Sequence, residues 1–219
     1  NYQYYTESMN ARAAEKLQLE TRVRRAVERR EFVLHYQPKI DIASGRISGL
    51  EALLRWQSPD QGLVSPAQFI PLLEETGLIV PVGEWVAKAA CMQIRAWRDA
   101  GINPVPVAIN LSARQLRQPG FSEVMSQALA ASGIEPQLIQ IEITESSLME
   151  NPEEAIVVLE QLAALGIQLA ADDFGTGYSS LSYLKRFPLD ALKIDRSFVR
   201  DITIDADDAV IARTVITLA

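Results

Sequence analysis

Carboxylates interrupt three of the most apolar stretches of this chain: Glu51 in GLEALLRW, Glu142 in LIQIEITES, and Asp172 with Asp173 in IQLAADDFGTG. An isolated carboxylate is strongly disfavoured in such surroundings, and two of them about 4 Å apart repel by roughly 4 kcal/mol at an effective dielectric near 20. Something positive should therefore sit among them. Asn110 in PVAINLS and Lys193 in ALKIDRSF extend the pattern, so five strand-like runs each carry a polar residue of ligand type. Oxygen donors collected in this way predict a divalent-metal site for phosphate-ester chemistry. Taken singly, each residue has a structural alternative. Glu51 could form a salt bridge, Asn110 could be a satisfied interior amide, Asp172 and Asp173 could cap a turn or helix, and Lys193 could pair with Asp195. Recurrence on successive runs favours the metal site over these.

The elements that must position these groups can be read from periodicity and punctuation. Residues from about Thr6 to Arg30 read as a helix, with Leu19, Val23, Ala26 and Val27 at helical spacing. FVLHYQPKID and RISGLEALLRW are β-rich runs around the turn-like Ala43, Ser44 and Gly45, which predicts an antiparallel hairpin. Ser65 followed by Pro66 opens a helix that stops near Gly77, and a second covers about Gly83 to Ala100. The chain then alternates. VPVAINLS, LIQIEIT, IQLAADDF and ALKIDRSFV are strand candidates, with helices over about Ser122–Ala131, Glu153–Leu165, Ser179–Lys185 and from about Asp205. Alternation of this kind predicts an α/β fold with a parallel sheet, either doubly wound or closed as a barrel.

Strand parity favours the barrel. Ile139, Ile141 and Ile143 share one face of their strand while Gln140 and Glu142 share the other, and Asp172 follows Gln168 and Ala170. Each strand offers an apolar side to covering helices and a smaller polar side to a common interior, whose ligands collect at the strands' C-terminal ends. Six strand candidates are visible, whereas eight-stranded barrels take about 250 residues. The expectation is a barrel that is unfinished at Ala219.

Composition narrows the classes. With 219 residues, 48% of them hydrophobic and 22% charged, the chain fits one globular domain with a substantial core. The single cysteine, Cys91, excludes a disulfide framework and reads as a small buried thiol. A net charge of −7 argues against a binder of DNA or RNA polymers, which need a basic stripe, but not against a small nucleotide. The basic run Arg22, Arg24, Arg25, Arg29 and Arg30 is expected to form a solvated helix face. His35 is expected to be an ordinary strand residue, and Trp56, Trp85 and Trp97 to be packing groups. No apolar run reaches 18 residues, so no membrane contact is expected.

In order along the chain, YQPKID, EALLRW with its Glu51-Ala52-Leu53, INLS, IEITES, DDFGTGYSSL and LKIDRSFV resemble the EAL domain, the bacterial cyclic-di-GMP phosphodiesterase module. The resemblance covers about Phe32 to Ala219. The opening YYTESMNARAAEKLQLE is similar to the linker that joins an upstream GGDEF domain to an EAL domain. Residues 1–30 are thus expected to be a linker helix to an upstream module. Residues 31–219 are expected to be an EAL domain lacking its C-terminal part, with a seventh strand and an EGVE-like loop to follow.

The resemblance implies a modified TIM-like (β/α) barrel with an antiparallel first strand. It implies that Glu51, Asn110, Glu142 and Asp172 ligate one Mg²⁺ or Mn²⁺, and that Asp172 and Asp173 reach a second. Lys193 is implied to position water or stabilise charge, and Glu145 to fix the loop carrying Asp172 and Asp173. Arg55 is implied to contact a substrate phosphate and Gln37 a guanine, with Asp195 in support. The implied reaction is hydrolysis of cyclic-di-GMP to linear pGpG, by a cytoplasmic homodimer whose subunits meet near Asp173–Leu184 and Asp205–Leu218. Residues 1–219 alone are expected to turn over slowly or not at all. The rival readings are an EAL-type receptor that binds without cleaving and an unrelated Mg²⁺-dependent barrel enzyme.

Overall fold

The computed structural model describes the backbone of residues 7–177 and 181–218, and the side chains of these except 7–13 and 181. Thr6 and Ser179, where two of the expected helices begin, lie outside the described residues. The chain opens with helix α1 (Glu7–Arg29), followed by the hairpin β1 (Phe32–Ile40) and β2 (Ile47–Ser58). The short β3 (Gly62–Val64) leads to α2 (Pro66–Thr76) and α3 (Ile79–Asp99). β4 (Val107–Asn110), α4 (Ala113–Leu116), α5 (Phe121–Ser132), β5 (Ile139–Thr144), α6 (Glu145–Glu150) and α7 (Pro152–Ala164) come next. β6 (Gln168–Phe174), α8 (Leu181–Leu184), β7 (Ala191–Ile194), α9 (Arg196–Arg200) and α10 (Ala206–Leu218) complete the order.

Among the described residues, one sheet runs β1-β2-β4-β5-β6-β7, with β3 paired to the far half of β2. β1 is antiparallel to β2, which places Gln37 opposite Glu51 and Val33 opposite Arg55. From β2 onward every neighbour along this path is parallel, with Glu51 beside Ala108 and Asn110 beside Glu142. The sheet is open between β1 and β7. It is nevertheless strongly curved, because Lys39 from β1 and Lys193 from β7 both reach Glu142 of β5. Curvature that brings the outermost strands onto a central one makes this a modified TIM-like barrel with an antiparallel first strand.

The covering side is apolar, as parity requires. Ile139, Ile141 and Ile143 are fully buried in a core shared with Ala90, Ile94 and Met125 under α3 and α5, and with Leu159 and Leu162 under α7. Cys91 lies in the same core, where burial pushes its thiol up to about 11. A second core joins Val23 and Ala26 of α1 to Phe32, Trp56, Phe69 and Leu73. The C-terminal half of α1 is therefore packed onto the far end of β2.

Several expectations need correction. Arg22 is not on a solvated face: its guanidinium lies 5.1 Å over the Trp56 ring and donates to Gln61 Oε1 at 2.8 Å. Trp56 is buried and Trp97 meets Tyr36 edge-on, but Trp85 is more than a third exposed. ALKIDRSFV is a strand only to Ile194, since Asp195 caps α9 by accepting from the Ser197 amide at 2.8 Å. The second expected helix starts at Ile79 rather than Gly83, two residues after the left-handed Gly77. β3, α4 and α6 are additional elements.

Candidate active site

The parallel strands deliver their polar residues to one end of the barrel. Glu51 is midway along β2, Asn110 is the last residue of β4, and Glu142 and Asp172 lie near the ends of β5 and β6. Lys193 rises from β7 between them. Its Nζ is 2.6 Å from Glu142 Oε2, 2.7 Å from Asp172 Oδ2 and 3.8 Å from Glu51 Oε2. Asn110 Nδ2 donates to Glu51 Oε1 at 2.8 Å. Three carboxylates from three strands thus surround one cation. The side chain of Glu142 is wholly buried, where removing a paired charge is strongly destabilising.

The charge on Lys193 is secure. Burial pulls its pKa down, but hydrogen bonds to Asp172 and Glu142 and the charges of both outweigh that effect and push it up to about 12. At neutral pH it donates and does not accept a proton, which suits stabilisation of charge rather than general-base work. Lys39 was not anticipated. It donates to Glu142 Oε1 at 2.5 Å and to Gln140 Oε1 at 2.8 Å. The only sequence signal for it is that it shares a strand face with Gln37.

Asp173 takes a left-handed backbone, φ 52°, which aspartate tolerates better than most residues. Burial, followed by the charges of Asp172 and Asp195, raises its pKa, and its carboxyl group hydrogen-bonds with that of Asp195. Asp195 is held below the usual carboxylate range, first by hydrogen bonds from Ser197. The two carboxyls are thus pushed in opposite directions, Asp173 up and Asp195 down. Glu145 opens α6, is 1% exposed, and accepts from the Gly175 amide at 2.8 Å, tying α6 to the turn after Asp173.

Arg55 lies beyond the acidic group along β2, where Nη1 donates to the Leu54 carbonyl at 2.9 Å. It lines a cleft together with Asn110 and Glu142, walled by Pro66, Ile70, Ile79 and Val82. Gln37 is exposed on β1 directly across from Glu51. The floor of the cleft is fixed by α4. Ser112 Oγ accepts from the Gln115 amide at 3.3 Å, and Gln115 Oε1 accepts from the Ser112 amide at 3.2 Å. Gln115 packs where Gly83 has no side chain: a Cβ there would lie 1.8 Å from Nε2 and 2.8 Å from Cδ. Gly83→Ala should therefore expel Gln115 and undo this cap beside Asn110. The expected loss is about 1–2 kcal/mol, read as a fall of a few degrees in thermal midpoint by calorimetry.

Among the described residues, no three His, Cys, Asp or Glu side chains stand close enough together to hold a metal ion as they are placed. The ammonium of Lys193 occupies the position between them. The donor chemistry nevertheless fits a hard divalent cation, because the three acidic groups around that position, Glu51, Glu142 and Asp172, offer carboxylate oxygens.

Comparison with known proteins identifies the family. The EAL domain model matches residues 20–219. The chain is 48% identical over 217 residues to the bifunctional diguanylate cyclase/cyclic di-GMP phosphodiesterase MucR of Pseudomonas aeruginosa, covering 99% of this chain and 32% of MucR. It is 47% identical over 215 residues to the cyclic di-GMP phosphodiesterase PdeR of Escherichia coli, covering 98% of this chain and 32% of PdeR. The chain thus spans about a third of the length of these curated relatives. A solved structure of the PaMucR phosphodiesterase in complex with c-di-GMP superposes with a TM-score of 0.87 at 48% identity, covering 92% of this chain and 81% of that one. On the family match and these identities, the chain belongs to the EAL domain family.

Proposed function

We propose that this chain is a metal-dependent phosphodiesterase that hydrolyses cyclic-di-GMP to linear pGpG. The observation that carries the reading is the convergence of Glu51, Glu142 and Asp172 on one cationic position at the mouth of the barrel. The names of MucR and PdeR, and the c-di-GMP complex of PaMucR, support the substrate. Glu51, Asn110, Glu142 and Asp172 would hold a first Mg²⁺ or Mn²⁺, and Asp172 with Asp173 would hold a second. Such ions, when bound, supply the charge that activates water and neutralises the phosphodiester.

The chain's own residues do the rest. Arg55 grips a phosphate through its planar fork, and Gln37 meets a guanine edge, with Asp195 buttressing Asp173. Lys193 remains protonated and donates to the developing charge, while Glu145 holds the loop that presents Asp172 and Asp173. Water's oxygen stays on the phosphorus, one phosphorus–oxygen bond breaks, and the departing oxygen takes up a proton to become a hydroxyl. Residues 1–30 link this domain to an upstream GGDEF or sensory module in a cytoplasmic homodimer. The bifunctional name of MucR, of which the chain covers about a third, supports the two-module arrangement.

Chromatography of cyclic-di-GMP incubated with the full-length protein tests the reading. The expected result is pGpG in the presence of Mn²⁺ and none after chelation. Tight binding of cyclic-di-GMP without cleavage under either condition would instead make the protein a receptor.

A further inference from the structure

Glu142 is the only member of the acidic group whose two oxygens are divided between two lysines among the described residues. Oε2 accepts from Lys193, which also donates to Asp172, whereas Oε1 accepts from Lys39 on the opposite edge strand. Lys39 is anchored a second time by Gln140 Oε1, two residues before Glu142 on β5. Its stem crosses the barrel interior above Gly49, its partner in the β1–β2 register. A Cβ on Gly49 would lie 3.7 Å from Lys39 Cδ and 3.2 Å from the Pro106 carbonyl, so a larger side chain there would crowd the path of the stem.

We infer that Lys39 is a specificity-determining residue for the metal site: by occupying Oε1 it limits Glu142 to a single oxygen for any bound cation. This rests on the metal-site reading proposed above. Mg²⁺ and Mn²⁺ favour six ligands in octahedral geometry, which a one-oxygen carboxylate satisfies. Ca²⁺ takes six to eight oxygens and readily uses carboxylates in two-oxygen mode. Denying the second oxygen of a fully buried ligand therefore selects against the larger ion. Lys39 donates to Oε1 of Glu142 and not to the Oε2 that meets Lys193, so it acts through Glu142 and is a positioning residue.

The test is the ratio of Ca²⁺ to Mn²⁺ affinity, measured by calorimetry on the full-length protein and its Lys39→Met variant. Removing a positive charge strengthens the binding of both dications, and the ratio cancels that common effect. Lys39→Met should shift the ratio toward Ca²⁺ by about tenfold or more, the scale on which groups supporting a metal ligand act. An unchanged ratio, with normal Mn²⁺ uptake by the wild type, would overturn the role of Lys39 alone. No Mn²⁺ uptake by the wild type would remove the metal site and this inference together. If Lys39→Met does not fold, a crystal structure of the wild type with Mn²⁺ decides the matter. Glu142 bound through Oε2 alone, with Lys39 still on Oε1, supports the inference, and Glu142 bound through both oxygens refutes it.

Discussion

Replacing Lys193 with methionine should lower kcat by about 10²–10³-fold, the cost of removing one preorganised donor at a site of developing charge. The same change should destabilise the protein when no divalent ion is present. Lys193→Met leaves Glu142, wholly buried, and Asp172, 18% exposed, facing each other with Glu51 close by. Breaking a fully buried pair costs about 3–5 kcal/mol, and the 30% exposure of Lys193 reduces this to about 2–4. For a chain of this size that is roughly 5–15 °C in thermal midpoint. Mn²⁺ should restore much of the loss, because it binds the folded state and supplies the missing charge.

The pH dependence has a definite sign. The folded pKa of Lys193 is raised from 10.5 to about 12, so its contribution is fully present below the lower value and is lost as pH rises through the higher. The stability gap between wild type and variant should therefore be flat over roughly pH 6–9 as far as Lys193 is concerned. Denaturant melts in chelator at several pH values would check this.

The second large effect is expected at Glu145. Glu145→Ala removes a buried carboxylate that accepts from the Gly175 amide and leaves that donor without it. The expected cost is about 1–3 kcal/mol in stability. The larger consequence is for catalysis, because Gly175 directly follows the β6 segment that carries Asp172 and the left-handed Asp173. Release of that turn misplaces both aspartates, and a shift near 1 Å costs about 10²-fold in rate. Binding of cyclic-di-GMP should change far less, since Arg55 and Gln37 lie on β2 and β1, across the barrel. Turnover and ligand affinity measured side by side will separate the two. Equal losses in both would mean that Glu145 simply holds the fold together.

Much of the framework was legible because its signals are local. Pro66 after Ser65 marks the start of α2 and Gly77 its end, and the apolar alternation of Ile139, Ile141 and Ile143 marks the covered face of β5. The elements that escaped notice are those too short to show a period. β3 has three residues, while α4 and α6 have four and six and depend on side-chain caps from Ser112 and Thr144. The break at Asp195 was hidden because ALKI and RSFV are both apolar enough to read as one strand.

The acidic group itself was legible as a charge problem: carboxylates in apolar runs demanded a positive neighbour. Which neighbour would be found was less legible. Lys193 could be named because it shares the pattern of the other strands. Lys39 lies on an edge strand 101 positions before Gln140, and only the curvature of the sheet brings its ammonium to Glu142. Curvature is a property of the assembled barrel, with no local sequence signal. Arg22, read as part of a solvated face, is found on Trp56 because α1 packs onto the far end of β2, a contact that is equally without local sequence signal.

The most direct test is calorimetric titration of Mn²⁺ into the full-length protein without nucleotide. Saturable uptake that disappears in Glu51→Ala is the predicted result. A protein that is folded yet takes up no Mn²⁺, with Lys193 alone balancing Glu51, Glu142 and Asp172, would contradict the account.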